Sequence, residues 1–212
     1  MNLPAGGACA EPALFSGRFF CLFIEEKGGK AGWQRQAECR KIRYRVKTDR
    51  KEGYRMTKTN VMRLLDAARI PYEAKEYPVD ENDLSGSHAA DLMGVDHGSM
   101  FKTLVMKGEK TGYLVCCIPV DGEVNLKKAA KAAGDKKVEM LHMKDLLPVT
   151  GYVRGGCSPI GMKKKFPTYI DESALEYEKI AVSAGTRGVQ VILSPEKLAA
   201  YVGAKFTDLR EK

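Results

Sequence analysis

The chain has 212 residues, of which 44% are hydrophobic and 29% are charged, proportions that are typical of a globular protein. They exclude a wholly disordered chain and a collagen-like chain. The longest unbroken apolar run, residues 19–24, is far shorter than the roughly 20 residues of a membrane-spanning helix. It also falls short of a signal-peptide core, so we expect a cytoplasmic protein.

The net charge of +8 is concentrated in the first quarter of the sequence. Residues 1–56 contain twelve Lys and Arg against six Asp and Glu, net +6, which leaves net +2 for the rest. This quarter also lacks a sustained apolar period. We interpret residues 1–55 as a disordered or misassigned N-terminal extension, with a phosphate-attracting basic arm as the alternative. Residues 56–212 are then the folded domain.

Predicted helices and strands alternate after Met56. The first helix is capped by Thr57 or Thr59, runs to about Ile70 and stops before Pro71. In chain order there follow a strand (72–79), a short helix ending at Gly94, strands 101–106 and 113–120, helix 126–133, strand 138–141, a helix near 143–147, strands 169–171, 180–183 and 189–193, and helix 195–201. This order favours an α+β fold with a mixed, largely antiparallel sheet over a doubly wound one.

The six cysteines are few for a chain of this length, and two of them, Cys116 and Cys117, are adjacent, a poor geometry for bridging each other. We therefore expect reduced thiols. The sequence contains no C-x-x-C pair, and its three histidines show no ligand spacing with the cysteines. We expect no metal and no other cofactor.

Common hydrolase and nucleotide-binding motifs are absent, which leaves two subtler candidates. The loop 155–161, Gly-Gly-Cys-Ser-Pro-Ile-Gly, would let the backbone approach a ligand and direct amide N–H groups at it. A plain surface turn is the competing interpretation. Lys102 interrupts an apolar strand, where its ammonium group either faces solvent or enters a cavity and binds an ester or phosphate oxygen.

Two further features have mainly structural interpretations. Cys157 lies beside glycines, but a nucleophilic thiol needs a positioned base, and none of the histidines is an evident partner. We therefore expect a structural thiol. The run 163–165, Lys-Lys-Lys, is either a solvated surface, the usual case for a short charge run, or a contact for a nucleic-acid backbone. Its place beside the glycine loop raises the odds of the second.

Several motifs together resemble the YbaK/EbsC family of bacterial Cys-tRNA(Pro)/Cys-tRNA(Cys) deacylases, relatives of the editing domain of prolyl-tRNA synthetase. The resemblance covers residues 56–210 in matching order. It rests on FKTLV at 101–105, LKKAA at 126–130, KKVEM at 136–140, GGCSPIG at 155–161, and VSAG at 182–185 followed by Arg187 and Gly188. It implies a barrel-like sheet flanked by short helices.

The implied function is trans-editing, the hydrolysis of the ester that joins a mischarged cysteine to tRNA(Pro), with Cys-tRNA(Cys) as a further substrate. In this family the thiol of the substrate is proposed to attack its own ester, so no enzyme nucleophile is required. The resemblance implies that Lys102 and Gly155 are catalytic. It implies substrate-binding roles for Tyr77, Thr103, Gly156 and Ser183.

The chain departs from the family pattern at Ser85 and Gln190, where some members carry an aromatic residue and a carboxylate. These departures widen the expected substrate choice to alanine and proline, because excluding a side chain of similar size yields only roughly 1 to 3 kcal/mol. A non-catalytic module that binds aminoacyl-tRNA or a synthetase is the alternative function. Since net +2 is a weak charge for selecting one tRNA, we expect help from a partner, and the resemblance suggests prolyl-tRNA synthetase.

Overall fold

The computed structural model describes residues 57–211. The predicted extension over residues 1–55 lies outside the described residues, together with Cys9, Cys21 and Cys39. The division into an extension and a domain that begins at Met56 therefore stays a prediction. Within the described range, no helix is both long enough and apolar enough to cross a membrane.

Five α-helices occur in this range, each eight residues long and most of them preceded by a side-chain cap. The Thr59 hydroxyl accepts from the Met62 N–H, and the Asn125 carbonyl oxygen accepts from two N–H groups of the helix that follows. The helices are α1 (Asn60–Ala67), α2 (Gly86–Met93), α3 (Leu126–Ala133), α4 (Met143–Thr150) and α5 (Pro195–Val202).

Helix α1 ends earlier than predicted. Arg69 adopts a left-handed conformation, with φ of 55°, and the Ile70 N–H bonds back to the Leu65 carbonyl. The chain must leave the helix here because Pro71 disfavours helical geometry at the residue before it. Helix α4, in contrast, continues past its predicted end to Thr150 and closes at Gly151 in the left-handed conformation.

Eight strands are present in residues 57–211. Two match the predicted bounds, β6 (Ile180–Ser183) and β7 (Val189–Leu193). The other predicted strands are shifted by a few residues at their ends, and a short eighth strand after α5 was not predicted. They are β1 (Glu73–Glu76), β2 (Phe101–Gly108), β3 (Tyr113–Pro119), β4 (Val138–Met140), β5 (Thr168–Asp171) and β8 (Lys205–Thr207).

The strands form two sheets rather than one. A three-stranded antiparallel sheet has the order β1-β7-β6, and a five-stranded mixed sheet has the order β4-β2-β3-β5-β8, in which β5 runs parallel to both neighbours. A single bridge between Met100 and Ala181 joins the two sheets beside β2 and β6. The predicted α+β class with a mixed, largely antiparallel arrangement is confirmed, and the described strands stop short of a closed barrel.

The main core lies between the two sheets and is closed by α1 and α5, with fully buried side chains such as Leu65, Val182 and Leu198. A second cluster lies on the other face of the five-stranded sheet, under α3. Cys117 belongs to the first cluster and Cys116 to the second, because successive strand residues point to opposite faces. The described cysteines, Cys116, Cys117 and Cys157, are free thiols.

Candidate functional site

A cavity of about 360 Å³ opens between the first half of β2, the start of α2, the glycine loop, and strands β6 and β7. Five of the six residues to which the sequence assigned a functional role line it: Tyr77, Lys102, Thr103, Gly155 and Ser183. These residues come from segments that are far apart in the sequence, so only the folded chain brings them together.

Lys102 lies half-buried at the wall of this cavity. Its Nζ donates to the Val120 carbonyl oxygen at 3.1 Å, which leaves two ammonium hydrogens for a ligand. Burial lowers the pKa of Lys102, and the nearby carboxylates of Glu123 and Asp121 oppose that effect. The ammonium group is thus held in position by one hydrogen bond and is partly desolvated, as suits a group that stabilises developing negative charge.

The other strand residue, Thr103, follows the alternation of β2 and faces the main core. Its Oγ1 lies 3.9 Å from the Cys117 Sγ, a weak contact, and the residue lines the cavity. Thr103 and Lys102 therefore contribute to the cavity from opposite faces of one strand edge.

The glycine loop contributes one of its first two glycines to the cavity. Gly155 has φ of +80°, which favours glycine, and its N–H makes no hydrogen bond within residues 57–211. Gly156 does not line the cavity. Its N–H donates to the Val153 carbonyl at 3.1 Å and is therefore already paired. A Cβ on Gly156 would lie 3.2 Å from the Thr186 backbone, so this glycine allows the loop to pack closely. Gly156 thus lies beside the cavity lining rather than in it, and its substrate contact stays a prediction.

Cys157 lines the cavity, but its environment disfavours the thiolate. Burial raises the pKa of its thiol to about 12. Among the described residues that line this cavity there is no histidine to act as a base. His97 instead contacts Asp91, with 2.8 Å between Nε2 and Oδ1. These observations agree with the interpretation of Cys157 as a structural thiol.

We expect Cys157→Ala to retain the deacylase activity that the resemblance implies, within about threefold of the wild type, because a protonated thiol without a base contributes only packing. Single-turnover rates on Cys-tRNA would measure this. Mass spectrometry of the quenched reaction supplies the control, since an acyl group trapped on Cys157 would contradict the prediction. A hundredfold loss in a variant that melts like the wild type would contradict it as well.

Strands β6 and β7 form the wall on which Ser183 and Gln190 are directly paired across the antiparallel ladder. Both are buried and both line the cavity. The Ser183 hydroxyl accepts from the Gly185 N–H, and the Gln190 Nε2 donates to the Tyr77 hydroxyl at 3.4 Å. Within residues 57–211 the Gln190 Oε1 has no hydrogen-bond partner. Ser85, the other departure from the family pattern, caps α2 by accepting from the His88 N–H.

The apolar side of the cavity and its second cation were not predicted from the sequence. Leu141 and Leu146 form part of that side with two exposed methionines, Met140 and Met143, which are 43% and 55% exposed. No local pattern distinguishes these residues from ordinary core positions. Arg154 also lines the cavity, and its place directly before the glycine loop was a usable signal.

The basic run beside the loop lies outside the cavity. Lys163 donates to the carbonyls of Leu147 and Pro148, so it caps the carboxyl end of α4. Lys164 and Lys165 are exposed and line a separate cleft with Tyr201. No group of three potential metal-ligating side chains occurs in the part of the chain that the structure describes.

Comparison with known proteins shows the family. The family model of the aminoacyl-tRNA editing domain matches residues 83–201, more than half of the chain. EbsC of Enterococcus faecalis, named as a candidate Cys-tRNA(Pro)/Cys-tRNA(Cys) deacylase, is 50% identical over 155 residues, which are 73% of this chain and 94% of EbsC. YwhH of Bacillus subtilis is 26% identical over 134 residues, 62% of this chain and 85% of YwhH.

Solved structures share the fold. The crystal structure of a candidate trans-editing enzyme for prolyl tRNA synthetase is 26% identical, with a TM-score of 0.63 over 72% of this chain and 95% of that one. The hypothetical protein APE2540, at 23% identity, has a TM-score of 0.65 over 71% of this chain and 99% of its own, which supports the fold alone. From the sequence match and the shared fold together, we conclude that this chain belongs to the aminoacyl-tRNA editing domain family.

Proposed function

We propose that the protein is a trans-editing deacylase that hydrolyses the ester of mischarged Cys-tRNA(Pro), and of Cys-tRNA(Cys). The observation that carries this proposal is the cavity that brings Lys102, Gly155 and Ser183 together. The 50% identity to EbsC, whose name states this activity, supports the choice of substrate. A cavity of about 360 Å³ has room for an aminoacyl group and part of the terminal ribose.

Each residue that lines the cavity has a role in the proposed hydrolysis that follows from its chemistry. The Gly155 N–H, which makes no hydrogen bond among the described residues, donates to the ester carbonyl. An oriented amide of this kind stabilises the charge that develops on the carbonyl oxygen. The Lys102 ammonium binds near the terminal adenosine and the scissile ester. Tyr77, Thr103 and Ser183 supply hydroxyl groups along the walls and thereby orient the substrate.

The proposed chemical step uses the thiol of the substrate. The sulfur attacks the ester carbonyl, a C–S bond forms, and the C–O bond to the ribose breaks. The thiol proton ends on the released ribose oxygen, and the product is a four-membered thiolactone that water later opens to cysteine. This route explains why the cavity lining lacks a Ser-His or Cys-His pair among the described residues.

We further propose that prolyl-tRNA synthetase presents the tRNA to this protein in the cytoplasm. The cations near the cavity, Lys102, Arg154 and Arg187, can contact the phosphates closest to the ester. Residues beyond 56 have a net charge of only +2, which gives weak binding to the tRNA body. A synthetase that already holds the tRNA would remove this difficulty.

A deacylation assay with Cys-, Ala- and Pro-charged tRNA(Pro), measured side by side, tests the proposal. We expect the cysteinyl ester to be hydrolysed fastest. Preference for the alanyl or prolyl ester would instead favour a deacylase for another small amino acid. Binding of all three esters without hydrolysis of any would favour the alternative function, a non-catalytic module of the same fold.

A further inference from the structure

We propose that Gln190 is a substrate-binding residue whose side-chain carbonyl accepts a hydrogen bond from the α-ammonium group of the aminoacyl ester. The inference rests on the proposed deacylase function and adds to it a specific contact on the β6 and β7 wall. It assigns a role to a residue that the chemical step leaves unused.

The main observation is an unsatisfied acceptor. Gln190 is only 6% exposed. Its Oε1 is the one buried side-chain nitrogen or oxygen atom without a hydrogen-bond partner among the described residues. Native proteins satisfy nearly all buried polar atoms, because a buried carbonyl without a donor loses its hydration and gains nothing in return. An exception on the wall of a cavity is best explained by a donor that arrives with the ligand.

A hydrogen bond to Tyr77 orients the Gln190 side-chain amide. The Gln190 Nε2 donates to the Tyr77 hydroxyl, so the opposite end of the amide is the end left for a ligand. Gln190 is also paired with Ser183 across the ladder, and Ser183 lines the same cavity. Directly paired residues project from the same face of a sheet, which places both side chains on one wall.

The charge pattern of the cavity identifies the donor. An aminoacyl ester brings a cationic α-ammonium group, and the described residues that line the cavity include two cations, Lys102 and Arg154, but no carboxylate. The ammonium group therefore needs a neutral acceptor with a free lone pair. The thiol of a cysteinyl substrate is a much weaker donor and is required for attack on the ester. The Gln190 carbonyl suits the ammonium group best.

The test compares two substrates and two variants. Cys-tRNA is compared with 3-mercaptopropionyl-tRNA, which keeps the thiol and the ester but lacks the amino group. For Gln190→Leu, we expect kcat/KM on Cys-tRNA to fall about 10- to 100-fold, the range for a lost hydrogen bond to a charged group. On the deamino substrate, the same variant should stay within about twofold of the wild type, since the contact is already missing.

Gln190→Glu distinguishes an acceptor from a donor at this position. A carboxylate still accepts from the ammonium group, so this variant should keep at least wild-type kcat/KM on Cys-tRNA, with a lower KM. Glu76→Leu, a matched change at an exposed residue of the adjacent strand, should leave both substrates unaffected. Melting curves of the variants show whether each remains folded.

The outcomes distinguish failure of the Gln190 contact from failure of the proposed deacylase function. Equal losses on both substrates for Gln190→Leu would overturn the inference, because a merely structural role does not distinguish them. A loss in Gln190→Glu as large as that in Gln190→Leu would overturn it too, since the amide N–H would then be the group required. If the wild type hydrolyses neither ester, the proposed function itself fails, and the inference fails with it.

Discussion

Lys102→Ala should lower kcat/KM for Cys-tRNA hydrolysis by about 100- to 1,000-fold, the usual effect of removing one group that stabilises charge in the transition state. The reason is the half-buried position of Lys102 on the cavity wall, where no other ammonium group lies among the described residues. The side chain contributes little to the core, so the melting temperature should stay close to that of the wild type. Single-turnover kinetics and thermal melting measure the two effects.

Lys107→Ala is the matched control. Lys107 lies on the same strand but is exposed and does not line the cavity, so its removal should leave the rate nearly unchanged. Wild-type activity in Lys102→Ala would remove the main assignment of the site. So would an equal loss in both lysine variants, because a general charge effect would then explain the result.

The pH dependence offers an independent check on Lys102. Burial lowers its pKa, and only the protonated ammonium group can stabilise negative charge. The contribution of Lys102 should therefore be complete below its lowered pKa and should be lost as the pH rises through it. The wild-type rate should decline at a pH below the ordinary lysine pKa, while Lys102→Ala should show no such decline.

The second large effect concerns the substrate. Ser-tRNA(Pro) should bind about as well as Cys-tRNA(Pro) but hydrolyse at least about 100-fold more slowly, because its hydroxyl is a far weaker nucleophile than a thiol. Intramolecular attack by the thiol can reach an effective molarity of roughly 10⁵ M or more, which replaces an enzyme nucleophile. Single-turnover rates and competition binding measure the two quantities separately.

S-methylation of the cysteinyl substrate is the control, because it blocks attack by sulfur while preserving the ester. It should stop the reaction. Similar single-turnover rates for the cysteinyl and seryl esters would contradict the thiol mechanism. They would point instead to a water molecule held by the Gly155 N–H and Lys102.

Local sequence signals were sufficient for most elements. The caps at Asn125 and Gly134 bound α3 at the predicted residues, because capping is a short-range hydrogen-bonding effect. Strands β6 and β7 matched as well, since each is a short apolar run between turn residues. Strand β8, Lys205–Thr207, has a single apolar residue and carries no such signal, so it forms only because β5 offers it a partner.

The sequence by itself determined the family and the α+β class, and it singled out Lys102 and Gly155, which line the cavity. It could do so because motifs and helix caps depend on residues that are close together in the sequence. Only the tertiary structure decided which groups face the cavity. In it the Gly156 N–H donates to the Val153 carbonyl, and the Gln190 side-chain carbonyl on the cavity wall has no partner among the described residues. Hydrogen bonds to distant segments and burial depend on the packing of the two sheets, which no local pattern encodes.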